Sequence, residues 1–503
     1  MFTSFKGFDL IDKYQKAKKA KKDNKKSNNA KLFKILFVVA VSLILWFLPS
    51  DSFGIENLTA IEQRVIAIFA FAVLMWILEA IPSWATSMLV VVLLLVTCSD
   101  GGLNFLTKGA DAAVIGTTIK YKSLMACFAD PIIMLFIGGF VLAIAATKSG
   151  LDSVLAKALL KPFGTQSKFV LLGFLLVTAI FSMFLSNTAT AAMMLAFLTP
   201  VLRSLPADGK GRIALALAIP VGANLGGMIT PIGTPPNMIA LDYLASQGMG
   251  ISFVDWTIKM APFVIILLLL AWLLLRILFP FKQKNIKIEI EGDIRWDFKT
   301  WSVVVAFAIT IFMWMFGTDL WGIDTNVVAM IPIAIFCATG ILTRRDLEEI
   351  NWSVLWMVAG GFALGVALNY KGAGAESLSN LIVSSVPFGN FSPIAVMILA
   401  GLICFGFSNF ISHSAATSLL VPVLGVVAVG MSDALTAVGG AQAMLVGIAI
   451  ASSVSMILPI STPPNAIAHS TGFIEQKDMM KVGIIIGVLG IILGYAMLIF
   501  IGF

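Results

Sequence analysis

Two clusters of hydroxyl and amide side chains interrupt stretches that otherwise read as hydrocarbon. Ser182, Ser186, Asn187, Thr188 and Thr190 fall inside residues 169–202, and Ser408, Asn409, Ser412, His413 and Ser414 fall inside residues 393–430. A hydroxyl or amide left unpaired in a bilayer core costs several kcal/mol, so such groups either bind neighbouring helices or face a ligand. Each cluster is followed by the same element, Thr234-Pro235-Pro236-Asn237 in one case and Thr462-Pro463-Pro464-Asn465 in the other. Adjacent prolines remove two amide donors and clash with the preceding turn, so a membrane helix must break there. A break leaves free carbonyls on one side, suited to a small cation such as Na+. On the other side it leaves N–H groups and a positive dipole end, suited to a carboxylate. Neither cluster contains Lys or Arg, so an anion would be held by dipoles, hydroxyls and bound cations.

These elements belong to an internal repeat. Leu135-Phe136-Ile137-Gly138-Gly139-Phe140 recurs as Met357-Val358-Ala359-Gly360-Gly361-Phe362, at an offset of 222 residues. Ser186-Asn187-Thr188-Ala189 matches Ser412-His413-Ser414-Ala415 at 226, each with a serine four residues upstream, Ser182 and Ser408. Gly233-Thr234-Pro235-Pro236-Asn237 matches Ser461-Thr462-Pro463-Pro464-Asn465 at 228. Order and spacing both persist, which chance likeness of apolar sequence does not produce. A pocket assembled from two hairpin tips and two broken helices would have two similar ends, and a molecule with two carboxylates fits that symmetry.

The elements that must position these groups are membrane helices. Of the 503 residues, 59% are hydrophobic and 12% charged, with a mean hydropathy of +0.97. Soluble domains carry about 25% charged residues. Continuous apolar runs, rather than short alternating segments, indicate helices and not a barrel. The fold class is therefore an all-α polytopic membrane protein. About eleven spans are expected, near 35–49, 61–81, 84–98, 131–147, 212–230, 257–280, 301–317, 325–342, 352–369, 442–460 and 482–502. The interrupted stretches 169–202 and 393–430 read as re-entrant hairpins. An odd number of spans per half makes the second half inverted relative to the first, the signature of secondary transporters with a midplane site. The expected organisation is a basic arm at 1–34, a first helix and loop at 35–58, repeats at 59–280 and 301–503, and a linker at 281–300. Segments 150–166 and 372–387 are amphipathic and expected along the interface, with Asp152, Lys157 and Lys161 off the apolar face of the first.

Charge and composition narrow the function. The net charge is +7, yet residues 1–34 hold eleven Lys and three Asp, so the arm alone is +8 and the remaining 469 residues sum to −1. A basic arm directly before the first apolar run is explained by the positive-inside rule rather than by nucleic acid, and it places the N-terminus in the cytoplasm. The linker from Lys282 to Lys299 and the Arg344-Arg345 turn then fall on the same side. The first helix does not resemble a cleaved signal peptide, and the short basic arm suits a bacterial plasma membrane. Cys98, Cys127, Cys337 and Cys404 lack metal-ligand spacing and read as apolar packing residues. With His413 and His469 as the two histidines, neither a metal dyad nor a Ser/His/Asp triad assembles, which speaks against an intramembrane enzyme. Repeated broken helices around a closed pocket suit alternating access better than a continuous channel.

From Glu79-Ala80-Ile81-Pro82 to Gly472 the chain resembles the divalent anion:sodium symporter (DASS) family, which includes the dicarboxylate and citrate carriers often called INDY proteins. Ser186-Asn187-Thr188 and the two Pro-Pro-Asn breaks carry the resemblance. It implies a homodimer whose protomers have a scaffold part and a transport part that slides as an elevator. It implies that Ser186, Asn187 and Thr188 contact substrate carboxylate and that Thr234, Pro235, Thr462 and Pro463 face the substrate, with Ser412, His413 and Ser414 as the second tip. A first sodium site would comprise Ser182, Ser186, Asn187 and Gly233. The matching second site would use Ser408, Ile411, His413 and Ser461, and here the chain departs from the family. Ser-His-Ser stands where Ser-Asn-Thr is usual, and Ser408-Asn409 replaces Thr-Glu.

An imidazole nitrogen is a poor substitute for an amide oxygen at a hard cation, and when protonated it repels Na+. A protonated His413 would instead place a fixed positive charge beside the substrate, making return of the empty carrier costly. The expectation is transport of C4 to C5 dicarboxylates (the malate, succinate, fumarate and 2-oxoglutarate class), leaning to exchange with weak Na+ dependence. Sodium-coupled symport of di- or tricarboxylates is the alternative. His469 reads as structural, and no cofactor beyond Na+ at the first site is expected.

Overall fold

The computed structural model describes residues 29–55, 58–78, 80–107, 112–206, 209–286, 296–370, 377–378, 381 and 392–503. Most of the N-terminal arm, Glu79, the middle of the linker and nearly all of the second amphipathic segment lie outside the described residues.

Helix α1 (Asn29–Phe47) precedes two sets of helices that correspond in order, the short α5 apart. The first set is α2 (Ala60–Leu78), α3 (Ser83–Cys98), α4 (Pro131–Ser149), the short α5 (Leu151–Leu160), α6 (Ser167–Ser182), α7 (Asn187–Ser204), α8 (Gly211–Gly226), α9 (Pro235–Ser246) and α10 (Phe253–Leu278). The second is α11 (Phe298–Trp321), α12 (Thr325–Ala338), α13 (Trp352–Asn369), α14 (Pro393–Phe410), α15 (His413–Gly430), α16 (Gly440–Ser453), α17 (Pro463–Ser470) and α18 (Gln476–Phe500). Nine helices among the described residues are long and apolar enough to cross a membrane, and α3, α6, α8 and α12 are shorter apolar helices. Every expected span contains a helix. Each interrupted stretch is a helix pair, α6–α7 and α14–α15.

Packing between the sets is exchanged, as a two-fold relation demands. Helix α3 lies against α13 and α12 against α4; α7 touches α17 and α15 touches α9. Within each set α6 and α7 both pack on α8, and α14 and α15 both pack on α16. The repeated glycines show why the motif is kept. A Cβ on Gly138 would sit 2.5 Å from the Ala329 carbonyl oxygen in α12, and one on Gly360 would sit 2.3 Å from Ser87 Cβ in α3. Two equivalent close approaches thus need a missing side chain at equivalent positions.

Three details differ from the sequence reading. The prolines do not interrupt their helices. They begin α9 and α17, at the first-turn positions where a missing N–H costs nothing. Helices α8 and α16 stop earlier, at Gly226 and Ser453, so residues 227–234 and 454–462 are the unwound stretches and the spans are shorter than expected. In α5, Asp152 is buried in the first turn beside Leu151 rather than on an exposed face, a position where the helix dipole favours an acid. Cys337 is exposed on the outside of the bundle, unlike the three buried cysteines.

Polar contacts fix which loop ends share a side. Lys148, at the end of α4, lies 2.6 Å from Asp346 in the turn after α12. Hydrogen bonds from Lys148 and from Thr343 hold the Asp346 carboxyl down to about 2. The Ser167 amide at the start of α6 donates to the Lys284 carbonyl beyond α10, at 2.9 Å. The linker start and the Arg344-Arg345 turn therefore each join the loop region around α5.

Candidate functional site

The two breaks and the two tips meet around one cavity of about 280 Å³, near the lower end of small-ligand pockets. Ser186, Asn187, Thr188, Gly233, Thr234, Pro235, Ser412, His413, Ser414, Ser461, Thr462 and Pro463 all line it. Ser182, Ser408 and Ile411 stand behind this surface, fully or almost fully buried. Among the described residues the lining contains no Lys, Arg, Asp or Glu.

Four of the helices that begin at this cavity start from the two tips and the two breaks. Ser186 caps α7 through a 3.2 Å bond accepted from the Ala189 amide, and Ser412 caps α15 in the same way from Ala415. Thr462 caps α17, accepting from Asn465 at 3.2 Å, while Thr234 precedes the prolines of α9. Each helix N-terminus carries about half a positive charge, so four of them present roughly +2 to a ligand between them. An anion can be held here without a basic side chain.

The asparagines of the Thr-Pro-Pro-Asn elements hold the unwound backbone in place. Asn237 donates its amide to the carbonyls of Gly227 (3.1 Å) and Thr230 (2.8 Å). Asn465 donates to Met456 and Leu458, both at 3.0 Å. Both amides span the break and satisfy carbonyls that proline cannot reach. Sequence reading attributed the breaks to the prolines and missed this bracing, although the asparagines were part of the repeated motif.

Below the tips the halves diverge. In the first, Ser182 Oγ donates to Asn187 Oδ1 at 2.6 Å and is also 2.8 Å from the Ala223 carbonyl oxygen. Two glycines keep this region open. A Cβ on Gly227 would come within 2.5 Å of Asn187 Oδ1, and one on Gly233 within 2.4 Å of the Gly227 carbonyl oxygen and 2.9 Å of that of Ser182. The result is a compact set of hydroxyl, amide and carbonyl oxygens of the kind that hard cations take, so the residues present fit Na+.

In the second half the position equivalent to Gly227 is Ser455, and its carbonyl oxygen is occupied by His413 Nε2. A carbonyl only accepts, so Nε2 carries the hydrogen. Ser408 Oγ donates to Ser452 Oγ at 3.2 Å, and Ser452 Oγ donates in turn to the His413 carbonyl at 3.0 Å. Asn409 Oδ1 accepts the Ile457 amide at 2.9 Å. At this position the Ser455 carbonyl, the Ser452 hydroxyl and the Asn409 amide oxygen are engaged with protein donors.

Asn224 was also missed. Its amide donates to Asn465 Oδ1 at 3.1 Å, bridging the repeats, while its own Oδ1 is buried without a partner among the described residues and the residue lines the cavity. One polar residue in an apolar run gave no sequence signal. Ser83, Trp84, Asn351 and Ser353, at the starts of α3 and α13, complete the wall and lie too far along the chain for spacing to connect them.

Paired helical repeats with unwound backbone around a shared, uncharged pocket are the architecture of secondary transporters. The chain belongs to the sodium:sulfate symporter family, whose transmembrane-region pattern matches residues 29–502. It is 28% identical over 487 residues to the sodium-dependent dicarboxylate transporter SdcS of Staphylococcus saprophyticus, covering 89% of this chain and 88% of that one. It is 29% identical over 460 residues to an uncharacterized transporter of Haemophilus influenzae, covering 88% and 92%. Among solved structures, the YdaH transporter of Alcanivorax borkumensis shares the fold at a TM-score of 0.51 and 15% identity, over 75% of this chain and 87% of that one.

Proposed function

We propose that the protein carries C4 to C5 dicarboxylates across the plasma membrane, with exchange of one anion for another favoured over sodium-driven uptake. The observation that carries this reading is the convergence of four helix N-termini on one cavity free of basic side chains among the described residues. About +2 of dipole charge, distributed between two similar ends, complements a dianion with two separated carboxylates. The name of the staphylococcal relative points to the same substrate class.

In this reading Ser186, Asn187 and Thr188 bind one carboxylate, Ser412, His413 and Ser414 the other, and Thr234, Pro235, Thr462 and Pro463 close the ends. A homodimer working as an elevator, with its N-terminus in the cytoplasm, is part of the same proposal. It rests on the family resemblance and on the Lys-rich arm. The lean to exchange rests on His413, which fills the second cation position with an N–H donor. The oxygen cradle around Asn187, Gly227 and Gly233 and the sodium dependence in the relative's name favour a second reading, Na+-coupled symport.

Counterflow of labelled succinate into succinate-loaded proteoliposomes tests the substrate class. The expected result is rapid counterflow suppressed by malate and fumarate and little affected by sulfate. Counterflow of sulfate but not of succinate would overturn the proposal.

A further inference from the structure

A second cavity, of about 350 Å³, lies beside the first and is lined by different chemistry. Asp130 and Asp242 both face it, together with Cys127, Tyr243, Asn369 and Ser418. Helix α9 runs from one cavity to the other: Pro235 lines the first, and Asp242, seven residues on and therefore about 10 Å along the axis, lines the second. Helix α13 does the same, with Val354 and Met357 in the first wall and Gly361 and Gly365 in the second.

Acidic residues inside a membrane bundle are expensive and tend to mark ion or proton pathways. Here the repeat does not require them: the positions matching Asp130 and Asp242, at offsets of 222 and 228, are Trp352 and Ser470. Asp130 is already engaged as the N-cap of α4, accepting the Ile132 amide at 2.8 Å. Asp242 has neither a basic partner nor a hydrogen bond among the described residues. A second, independent feature points into the same space. Ser418 is 1% exposed, lines the cavity, and its Oγ has no hydrogen-bond partner among the described residues, although a helical serine ordinarily donates to the preceding turn. The helices packed on α9 (α13, α15 and α16) carry no acidic or basic residue except His413, whose ring is bonded to Ser455 at the other cavity. The titratable groups facing Asp242 are thus Asp130, Cys127, Tyr243 and Tyr370.

We propose that this cavity is a proton-binding site in which Asp242 carries the proton and Asp130 is its acidic neighbour. A proton on Asp242 removes a negative charge two helical turns from the anion pocket on the same rigid helix. Anion entry and proton entry therefore favour one another. The coupling rests on the dianion reading of the first cavity, whereas the proton site does not.

A protonated carboxyl in apolar surroundings adds its O–H across one C=N bond of dicyclohexylcarbodiimide, and the resulting O-acylisourea rearranges to a stable N-acylurea. Peptide mass spectrometry of the full-length protein in liposomes should find the adduct on Asp242, decreasing as pH rises and absent in Asp242→Asn. Absence of the adduct at every pH where the wild-type protein stays folded would overturn the proposal, and this arm needs no variant. Protection by Na+ or Li+ at fixed pH would also overturn it, by identifying an alkali-cation site. In a His413→Asn background, which removes the imidazole, Asp242→Asn should flatten the remaining pH dependence of succinate counterflow, and an unchanged profile would refute the coupling. Labelling without counterflow would sink the dicarboxylate reading and leave the proton site standing; counterflow without labelling would do the reverse.

Discussion

The regions below the two hairpin tips share one backbone plan and differ in what that backbone is used for. Around Asn187 the plan leaves an amide oxygen, a hydroxyl and several carbonyls close together, and Gly227 and Gly233 keep the space between them clear. Around His413 the equivalent carbonyl accepts an imidazole N–H, and a chain of serine hydroxyls ties Ser408 to the His413 backbone. Internal symmetry therefore conserves where the chain breaks, while a few side chains decide whether a break offers oxygens to a cation or consumes them.

Breaking the first region should have the largest effect. Asn187→Ala removes the tip amide and leaves Ser182 without its side-chain acceptor. Loss of a hydrogen bond to a charged ligand is worth about 1.5–3 kcal/mol, so succinate affinity should fall about ten- to a hundredfold in a protein that elutes unchanged from size exclusion. Unchanged affinity by calorimetry would remove the tip from the site. Gly227→Ala sharpens the comparison, because its Cβ would enter the space beside Asn187 Oδ1 while the backbone, at φ −60°, accepts alanine without strain. Overpacking of this kind costs about 1–3 kcal/mol, and any Na+ stimulation of binding should disappear with it. Persistence of that stimulation would place the cation elsewhere.

The converse change is His413→Asn. It frees the Ser455 carbonyl and restores an amide, so binding should become more sensitive to Na+, though incompletely while Ser408 and Ile411 still frame the position. A titration in NaCl against choline chloride reads this directly, and an identical curve for variant and wild type would dissociate His413 from cation selectivity. The smallest effect is expected far from both tips. Asp346→Asn loses the Lys148 contact, worth about 0.2–1 kcal/mol for a pair whose lysine stands in solvent. The folded carboxyl, held to about 2, lies below its unfolded value of about 3.9. Its contribution is complete above about pH 4 and disappears as pH falls toward 2. Thermal midpoints of the variant should lack that acid slope, and an unaltered slope would assign it to other carboxyls.

Much of this was legible in the chain. Apolar run lengths located the spans, and the paired motifs at offsets of 222, 226 and 228 marked the tips, the breaks and a repeated Gly-Gly pair, though not the helices those glycines touch. Whatever depends on a residue's partner across the bundle was not legible. Proline chemistry announces a break but not its register, and the helices end at Gly226 and Ser453, before the prolines. Asn237 and Asn465 were visible as letters, yet bracing the unwound carbonyls is a three-dimensional relation. Asn224 and Asp242 are single polar residues in apolar runs, and only packing shows that the first faces the cavity between the tips and the second another one.

The central claim is that one half retains a cation cradle while the other has closed it with a histidine. Uptake of labelled succinate into proteoliposomes, empty or loaded with unlabelled succinate, under an inward Na+ gradient or none, tests this most directly. Loaded liposomes should take up label rapidly whether or not Na+ is present, and empty ones should take up little. Accumulation in empty liposomes driven by the Na+ gradient alone would contradict the account and establish sodium-coupled symport.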